Sequence, residues 1–301
     1  MLPSYQDLFQ RTDDGAGGPL QTFKRRLKFA LRYWWWKSSL QALYAHFERL
    51  GLLELLTSDP TLLLKIFRTY LWADLSVTQR LAAQQAHFEW LVQTMGVAKV
   101  LQLYRDGLLP LAQWQRKDAV VRACLQPGRG LGREGELELH LDLNDEVVMR
   151  SSFSVLPNAL VGLDSPGCVM VLGSLQGSYE GKDLVKEFTQ QMERTRPSGI
   201  LHTVLQGLAD GWGVAGILGV SDQGHIYASY ASLAKRVGVR YDTIWQELGA
   251  AQKVSPMHWR LPHVWTPRPE EEVPSSKRSQ LRRRNALRQS LFDDCRAAVR
   301  A

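Results

Sequence analysis

A change of periodicity near residue 117 constrains the fold more than any other feature of this sequence. Before that point, stretches such as FKRRLKFALRYWWWKSSLQALYAHFERLGLLELL space their apolar residues as one face of a helix does. After it, AVVRACLQ, GELELHLDL and EVVMRSSFSVL alternate apolar and polar residues with the period of two that is typical of strands. The sequence therefore predicts an α+β fold, in which a helical N-terminal region is followed by a mixed β-sheet with helices.

Turn-forming residues divide the chain into three regions. DDGAGGP at 13–19 predicts a flexible N-terminus over residues 1–20. A helical region follows at 21–116, and a mixed α/β region at 117–301 ends in the basic helix SSKRSQLRRRNALRQSLFDDCRAAVR. Within the third region we expect a strand at 119–126, a hairpin at 136–156, a strand at 168–175, helices at 183–195 and 198–211, a strand within 214–221, a strand in HIYASY and a helix in YDTIWQELGA.

Composition predicts a globular protein of the cytoplasm. Hydrophobic residues make up 45% of the chain, which suffices for a sizeable core. The three cysteines, Cys124, Cys168 and Cys295, are odd in number and far apart, so they predict neither a disulfide framework nor a CxxC metal site. Neither a signal peptide nor an apolar stretch long enough to span a membrane is expected. Attachment to the inner membrane would then be peripheral.

The charge distribution predicts anionic partners. The formal net charge is +7, and the excess is concentrated at 24–37 and 277–288. Phosphates of a cofactor, an RNA or a lipid head group would each satisfy such patches, because charge alone does not choose among them.

A glycine-containing loop follows the predicted strand at 168–175. In LGSLQGSYEGKD, three residues separate Gly177 from Gly181-Lys182, whereas a P-loop requires four and a following Ser or Thr. The dinucleotide fingerprint G-x-G-x-x-G is absent as well. The loop therefore predicts neither ATP hydrolysis nor NAD binding, and it is either an anion-binding loop of another class or a structural turn.

The sequence resembles the VirK/YbjX family of bacterial proteins. The resemblance rests on LQG, RTRP, GVSDQGHIY, YDTIWQELGA, WRLP and SSKRSQLRRR, in this order, and more loosely on LSVTQRLAAQQAHFEWL in the helical half. It implies an association with virulence, with envelope or lipid A remodelling and with resistance to cationic peptides, but no established reaction. One departure lies at 194–197, where RTRP replaces the expected Gly-Leu-Arg-Pro and puts the local geometry of the helix break in doubt.

The order of elements is also similar to that of acyltransferases of the GNAT superfamily. In those enzymes a β-meander leads to a strand whose following loop and helix N-terminus bind the pyrophosphate of acyl-CoA. Here Gly177 and Gly181 would let the backbone approach an anion, while the helix end and Lys182 would attract it. The alternative is a plain strand-to-helix turn. The candidate donor-binding residues are Gln176, Gly177, Ser178, Gly181 and Lys182 in the loop, with Arg196, Lys277, Arg278, Arg282 and Arg283 from the basic segments.

VSDQGHIY is the best candidate for chemistry in the sequence. Ser221, Asp222 and His225 are predicted in a tight turn between two short strands, where polar groups can reach a substrate. His225 is the expected general base, with Asp222 as the group that orients it. The alternative is that Asp222 and Gly224 only form the turn and His225 caps it.

The other histidines and the spacing of possible metal ligands are weaker evidence for a functional site. His87, His140 and His202 lie in apolar patterns, which are typical of core histidines. No HxxxH or CxxC spacing is found, so no metal site is expected.

Two functions from different classes follow. The first is a GNAT-like acyl or aminoacyl transferase that moves a group from a phosphate-bearing donor, either acyl-CoA, acyl carrier protein or aminoacyl-tRNA, to an amine acceptor, with no tightly bound cofactor. The alternative is a non-catalytic peripheral envelope factor that binds anionic lipid through Trp34, Trp35, Trp36 and the basic runs. Successive residues point around more than half a helix, so at least one of these tryptophan rings is expected to leave the core.

Overall fold

The computed structural model describes residues 2–10, 18–128, 132–178, 181–228 and 240–300. Its first hundred residues are helical, as expected, and α5 packs against β2 and β4 of the sheet. The helices are α1 (Tyr5–Gln10), α2 (Pro19–Trp35), α3 (Lys37–Arg49), α4 (Leu53–Ser58), a 3-10 helix (Pro60–Phe67) and α5 (Val77–Asp106).

The remainder is a mixed α/β arrangement around one sheet. The strands are β1 (Leu109–Arg116), β2 (Ala119–Pro127), β3 (Leu137–Leu143), β4 (Glu146–Pro157), β5 (Cys168–Gly177), β6 (Gly216–Val220), β7 (Gln252–Ser255) and β8 (His258–Leu261). The helices are α6 (Lys182–Gln191), α7 (Pro197–Gly211), α8 (Tyr241–Glu247) and α9 (Ser275–Ala298).

The sheet is mostly antiparallel, with the strand order β1-β2-β3-β4-β5-β6-β8-β7. Among the described strands only β5 and β6 pair in parallel, because α6 and α7 form the crossover between them. This pairing extends from Val169 opposite Gly216 to Leu172 opposite Gly219. Beyond Leu172, β5 continues to Gly177 with no partner strand on the β6 side among the described residues, whereas β6 ends at Val220.

The core joins the helical region to the sheet. One cluster of buried apolar side chains extends from Leu8 in α1 to Cys295 in α9. The leucines at odd-numbered positions of β3 belong to it, and α9 packs along α7. The Trp114 indole of β1 donates to Asp294 of α9 at 2.8 Å, which ties the end of the chain to the first strand.

Four local expectations differ from the structure. The sheet begins at Leu109 and not near residue 117, because β1 pairs with β2 across the turn at Lys117. HIYASY does not form a strand over its described residues 225–228, which are a turn closed by the amide of Ala228 on the carbonyl of His225. Both edges of β6 are already paired with β5 and β8, so another strand has no place beside it. The strands β7 and β8 were not expected within the segment after YDTIWQELGA.

The fourth difference concerns the N-terminus. Part of the segment predicted to be flexible is helix α1, because Ser4 caps it through Asp7 and the rings of Tyr5 and Phe9 contact Tyr33 and Phe29 of α2. Residues 11–17 of the predicted flexible entry lie outside the described residues. Within the described part of the chain, no helix is both long and apolar enough to cross a membrane.

The helix break before Pro197 is present. Glu193 and Arg194 adopt positive φ angles of 52° and 58°, and α7 then begins at Pro197. The family pattern places glycine at the position of Arg194, and a left-handed backbone explains that preference. Here arginine occupies the same left-handed conformation.

Candidate active site

A cleft of about 730 Å³ lies near the end of β5. Its walls are the 3-10 helix, the segment that leads into β3 and the turn after β6. Its lining combines charged and polar side chains with apolar groups such as Leu62, Leu64 and Ile226. The polar and charged residues of the lining include Lys65, Arg68, Arg133, Glu134, Glu136, Gln176 and Tyr227.

Glu136 is a fully buried carboxylate at one wall of this cleft. Lys65 Nζ donates to Glu136 Oε2 at 2.5 Å, and the Tyr70 hydroxyl donates to Oε1 at 2.6 Å. The Glu136 amide donates to Ser154 Oγ at 3.1 Å, which fixes the start of β3 on β4. Burial and the Glu136 carboxylate raise the pKa of Tyr70 well above its usual value, so the hydroxyl keeps its proton. The three side chains form a closed structural network.

Glu134 differs from Glu136 because one of its two carboxylate oxygens has no hydrogen-bond partner among the described residues. His225 Nε2 lies 3.1 Å from Glu134 Oε1, and both side chains are almost completely buried. The second oxygen, Oε2, is buried and has no hydrogen-bond partner among the described residues. A buried carboxylate oxygen without a partner is costly, and such groups often mark functional positions. Glu134 is one of the residues that line the cleft.

Gly173 allows Glu134 to reach this position. The register between β4 and β5 shifts at Gly173, which forms a bulge. A Cβ atom at residue 173 would lie 1.8 Å from the carbonyl oxygen of Glu134. The Leu71 amide holds the same segment from the other side by donating to the Arg133 carbonyl at 2.8 Å. The bulge and this hydrogen bond together fix the position of the Glu134 backbone relative to the sheet.

Tyr241 packs against the imidazole of His225. Its ring stacks on the imidazole of His225, with centroids 4.8 Å apart and planes 18° from parallel. Burial, and then the Glu134 carboxylate, raise the pKa of Tyr241 above its ordinary value, while hydrogen bonds with Gln176 and Leu175 oppose this effect. These contacts attach the His225 pair to the free half of β5.

The structure corrects the predicted partner of His225. Asp222 does not contact the imidazole, because its Oδ1 accepts the backbone amides of Tyr241 at 2.6 Å and of Asp242 at 3.4 Å. Asp222 thus caps the first turn of α8. Ser221 is fully buried, where its hydroxyl donates to the Pro256 carbonyl and accepts the Gly224 amide. Both residues shape the turn, and the group that pairs with His225 is Glu134.

The predicted donor loop is only partly at the cleft. Gln176 lines it, whereas Gly177 pairs with Met149 at the end of β5. The Ser178 amide donates to the Val148 carbonyl at 3.1 Å, and Gly181 precedes Lys182 at the start of α6. Residues 179–180 lie outside the described residues. The structure therefore places one end of this loop beside Glu134.

The more distant basic residues lie elsewhere. Arg196 forms an exposed ion pair with Glu247, and Arg282 and Arg283 pair with Glu270 and Glu193. Lys277 and Arg278 are exposed in the first turns of α9. None of the five is among the described residues that line the cleft.

His140 differs from the core histidine that was expected. Alternation along β3 directs it to the side of Glu138, away from the leucines, where its Nε2 contacts the Oε1 atom of that buried carboxylate. Gln126 Nε2 bridges the two, at 2.8 Å from Glu138 Oε1 and 2.7 Å from His140 Nε2. His87 and His202 are buried among apolar groups, as expected, and burial lowers their pKa values to about 3 and about 4.

Sequence reasoning missed Glu134, Glu136, Lys65 and Tyr241. A signal was present, because GELELHLDL places glutamates at every second position and so on one face of a strand. If such a strand is central and covered on both faces, those carboxylates must be buried and paired.

Comparison with known proteins identifies the family. The family model described as "Protein of unknown function (DUF535)" matches residues 19–300, which is nearly the whole chain. The chain belongs to the DUF535 family. It is 24% identical over 253 residues to the "Uncharacterized protein YbjX" of Escherichia coli (strain K12), a match that covers 80% of this chain and 72% of that protein. The resemblance to the VirK/YbjX proteins is thereby confirmed, and the DUF535 match includes every residue of the cleft.

Proposed function

We propose that this protein is a GNAT-like acyl or aminoacyl transferase whose reaction takes place in the cleft beside Glu134. The observation that carries the proposal is the Glu134–His225 pair, with one carboxylate oxygen that has no partner among the described residues, at the cleft that Gln176 of β5 also lines. A carboxylate held in this way is suited to accept a proton from an attacking amine.

The topology supports this proposal. An antiparallel meander from β2 to β5 is followed by a helical crossover and the parallel strand β6, which is the order that the resemblance to GNAT acyltransferases requires. The cleft has the volume expected of a small-molecule site, and its lining includes Gln176 near the end of β5.

Charge supports a phosphate-bearing donor. Lys65, Arg68 and Arg133 line the same cleft, and guanidinium groups bind phosphate in a bidentate manner. Burial, followed by the nearby Arg133 and Arg32, lowers the pKa of Arg68, so these cations are close enough to repel one another. A bound phosphate would relieve that repulsion. The three cations therefore favour acyl-CoA, acyl carrier protein or aminoacyl-tRNA as the donor, because each of these carries phosphate.

The proposed reaction is a simple displacement. The amine nitrogen attacks the acyl carbon, an amide bond forms, and the thioester or ester bond to the donor breaks. The proton lost by the amine passes to Glu134 Oε2 and from there, directly or through water, to the leaving thiolate or alkoxide, which restores the carboxylate. His225 is a positioning residue in this scheme, because its hydrogen bond orients the Glu134 carboxylate.

The experiment compares Glu134→Gln with wild type in donor consumption. Acyl-CoA, acyl carrier protein thioesters and aminoacyl-tRNA are each incubated with amine acceptors, and thiol release or deacylation is measured. We expect a fall of about 10²- to 10⁴-fold in the variant, because glutamine keeps the shape but cannot accept the proton. Glu54→Gln, in an exposed ion pair with Arg105, is the matched control and should remain active.

Two results would contradict the proposal. The first is a wild-type protein that neither consumes any of the three donor classes nor retains one of them, with retention measured by native mass spectrometry. The other is a Glu134→Gln variant that turns over as fast as wild type.

A further inference from the structure

Helix α2 exposes an apolar stripe to solvent. Its members are between 50% and 79% exposed, whereas the core side chains of this protein are almost completely buried. Large apolar residues are seldom exposed in a contiguous row on a monomeric protein, and such a row marks an interaction surface. The residues of the stripe are Leu20, Phe23, Leu27, Leu31, Trp34 and Trp35.

The stripe is regular. Its members recur every three or four residues, and at about 100° per residue they fall within an arc of about 120°. The 17 residues of α2 extend over about 26 Å at the ordinary helical rise. The two exposed tryptophans lie together at one end, and the Lys37 ammonium stands 4.8 Å from the centre of the Trp34 ring.

The opposite face of α2 is already used. Phe29 contacts Phe9 of α1 and Phe67 of the 3-10 helix, with ring centroids 5.5 Å and 6.1 Å apart. The Tyr33 ring is buried, and its hydroxyl donates to the Pro3 carbonyl at 3.2 Å. The helix is therefore fixed on the protein by one face while the stripe points outward. The 3-10 helix beneath it also supplies Lys65 to the cleft, and Arg68 follows directly after that helix.

The charges along α2 identify the partner. The helix contains five cationic residues and no acidic one. Lys24, Lys28 and Arg32, four residues apart, form a row along one edge of the stripe. A second copy of this chain would bring the same positive charge to a symmetric contact, where like charges repel. An anionic surface is attracted, and a flat lipid interface accepts an apolar stripe bordered by cations.

We propose that α2 docks this protein on an anionic lipid bilayer. The apolar stripe enters the boundary between head groups and acyl chains, and the cationic row contacts the lipid phosphates. This inference rests on the exposed face of α2 and not on the proposed transfer reaction.

The test is flotation of the full chain with vesicles of equal parts phosphatidylglycerol and phosphatidylcholine, and with vesicles of phosphatidylcholine alone. We expect binding to the anionic vesicles that weakens as salt rises. Leu27→Glu with Leu31→Glu should abolish it, because two carboxylates then face the lipid. Lys24→Gln with Lys28→Gln should weaken it by about fivefold for each removed charge.

Matched controls come from outside α2. Val264→Glu alters an exposed apolar side chain, and Lys99→Gln removes an exposed charge; both should bind vesicles as wild type does. Unchanged melting temperatures of the α2 variants separate docking from folding, since every changed side chain is exposed. Retained flotation of Leu27→Glu with Leu31→Glu would overturn the proposal. So would equal binding to both kinds of vesicle, or self-association without lipid that these two substitutions abolish, since the stripe would then bind a second copy.

Discussion

The substitution Lys65→Met examines the buried network at the cleft most directly. The Lys65 side chain is 13% exposed, Glu136 is completely buried, and their atoms lie 2.5 Å apart. Methionine keeps the length and apolar stem of lysine but leaves the carboxylate with Tyr70 as its remaining side-chain donor. Removing one partner of a buried ion pair costs about 3–5 kcal/mol of unfolding free energy, because the other charge stays buried without compensation.

Thermal and urea unfolding of the purified variant measure this cost. For a chain of this size we expect the melting temperature to fall by about 5–15 °C. The double variant Lys65→Met, Glu136→Gln should recover most of the loss, since a neutral amide can still accept from Tyr70.

The exposed pair between Arg105 and Glu54 supplies the comparison. Arg105→Met should cost less than about 1 kcal/mol, because water solvates both groups. A Lys65→Met variant within about 1 kcal/mol of wild type, or a double variant no more stable than the single one, would refute the reasoning about Glu136.

Three further predictions follow from particular residues. Gly173→Ala should cost about 1–3 kcal/mol and weaken donor binding, because its Cβ would overlap the Glu134 carbonyl, while Gly199→Ala in α7 should be neutral or stabilising; differential scanning calorimetry distinguishes them. Arg194→Gly should raise stability by up to about 1 kcal/mol in urea unfolding, since the residue has a φ of 58°, and a loss would mean that the side chain matters more than the backbone. His202, whose pKa burial lowers to about 4, stays neutral in the folded protein while the unfolded chain takes up a proton below about 6.5, so stability should fall as pH drops from about 6.5 to 4. His202→Gln should reduce that dependence, to which the buried His87 and His258 also contribute, and an unchanged pH profile would contradict the prediction.

Local pattern determined much of the fold. The alternation in GELELHLDL and EVVMRSSFSVL predicted the hairpin of β3 and β4, and Pro197 predicted the start of α7. These features depend on neighbours a few residues away, so they are written in the sequence. The strands β7 and β8 are only four residues long, too short for periodicity to separate them from a loop. The turn at 225–228 was misjudged because whether β6 has a free edge depends on which strands flank it.

The candidate site, in contrast, depends on contacts between residues that are distant in the sequence. His225 was selected from the sequence, but its partner is 91 residues away, and proximity in the chain favoured Asp222. Which carboxylate meets the imidazole depends on the bulge at Gly173, which is not encoded locally. The exposed face of α2 shows the same division. Its amphipathic pattern and cations are readable from the sequence, but a helix with apolar residues on two faces can bury either one. Only the packing of Phe29 and Tyr33 against the rest of the protein decided that the stripe from Leu20 to Trp35 faces outward, because the core has room for one face of the helix.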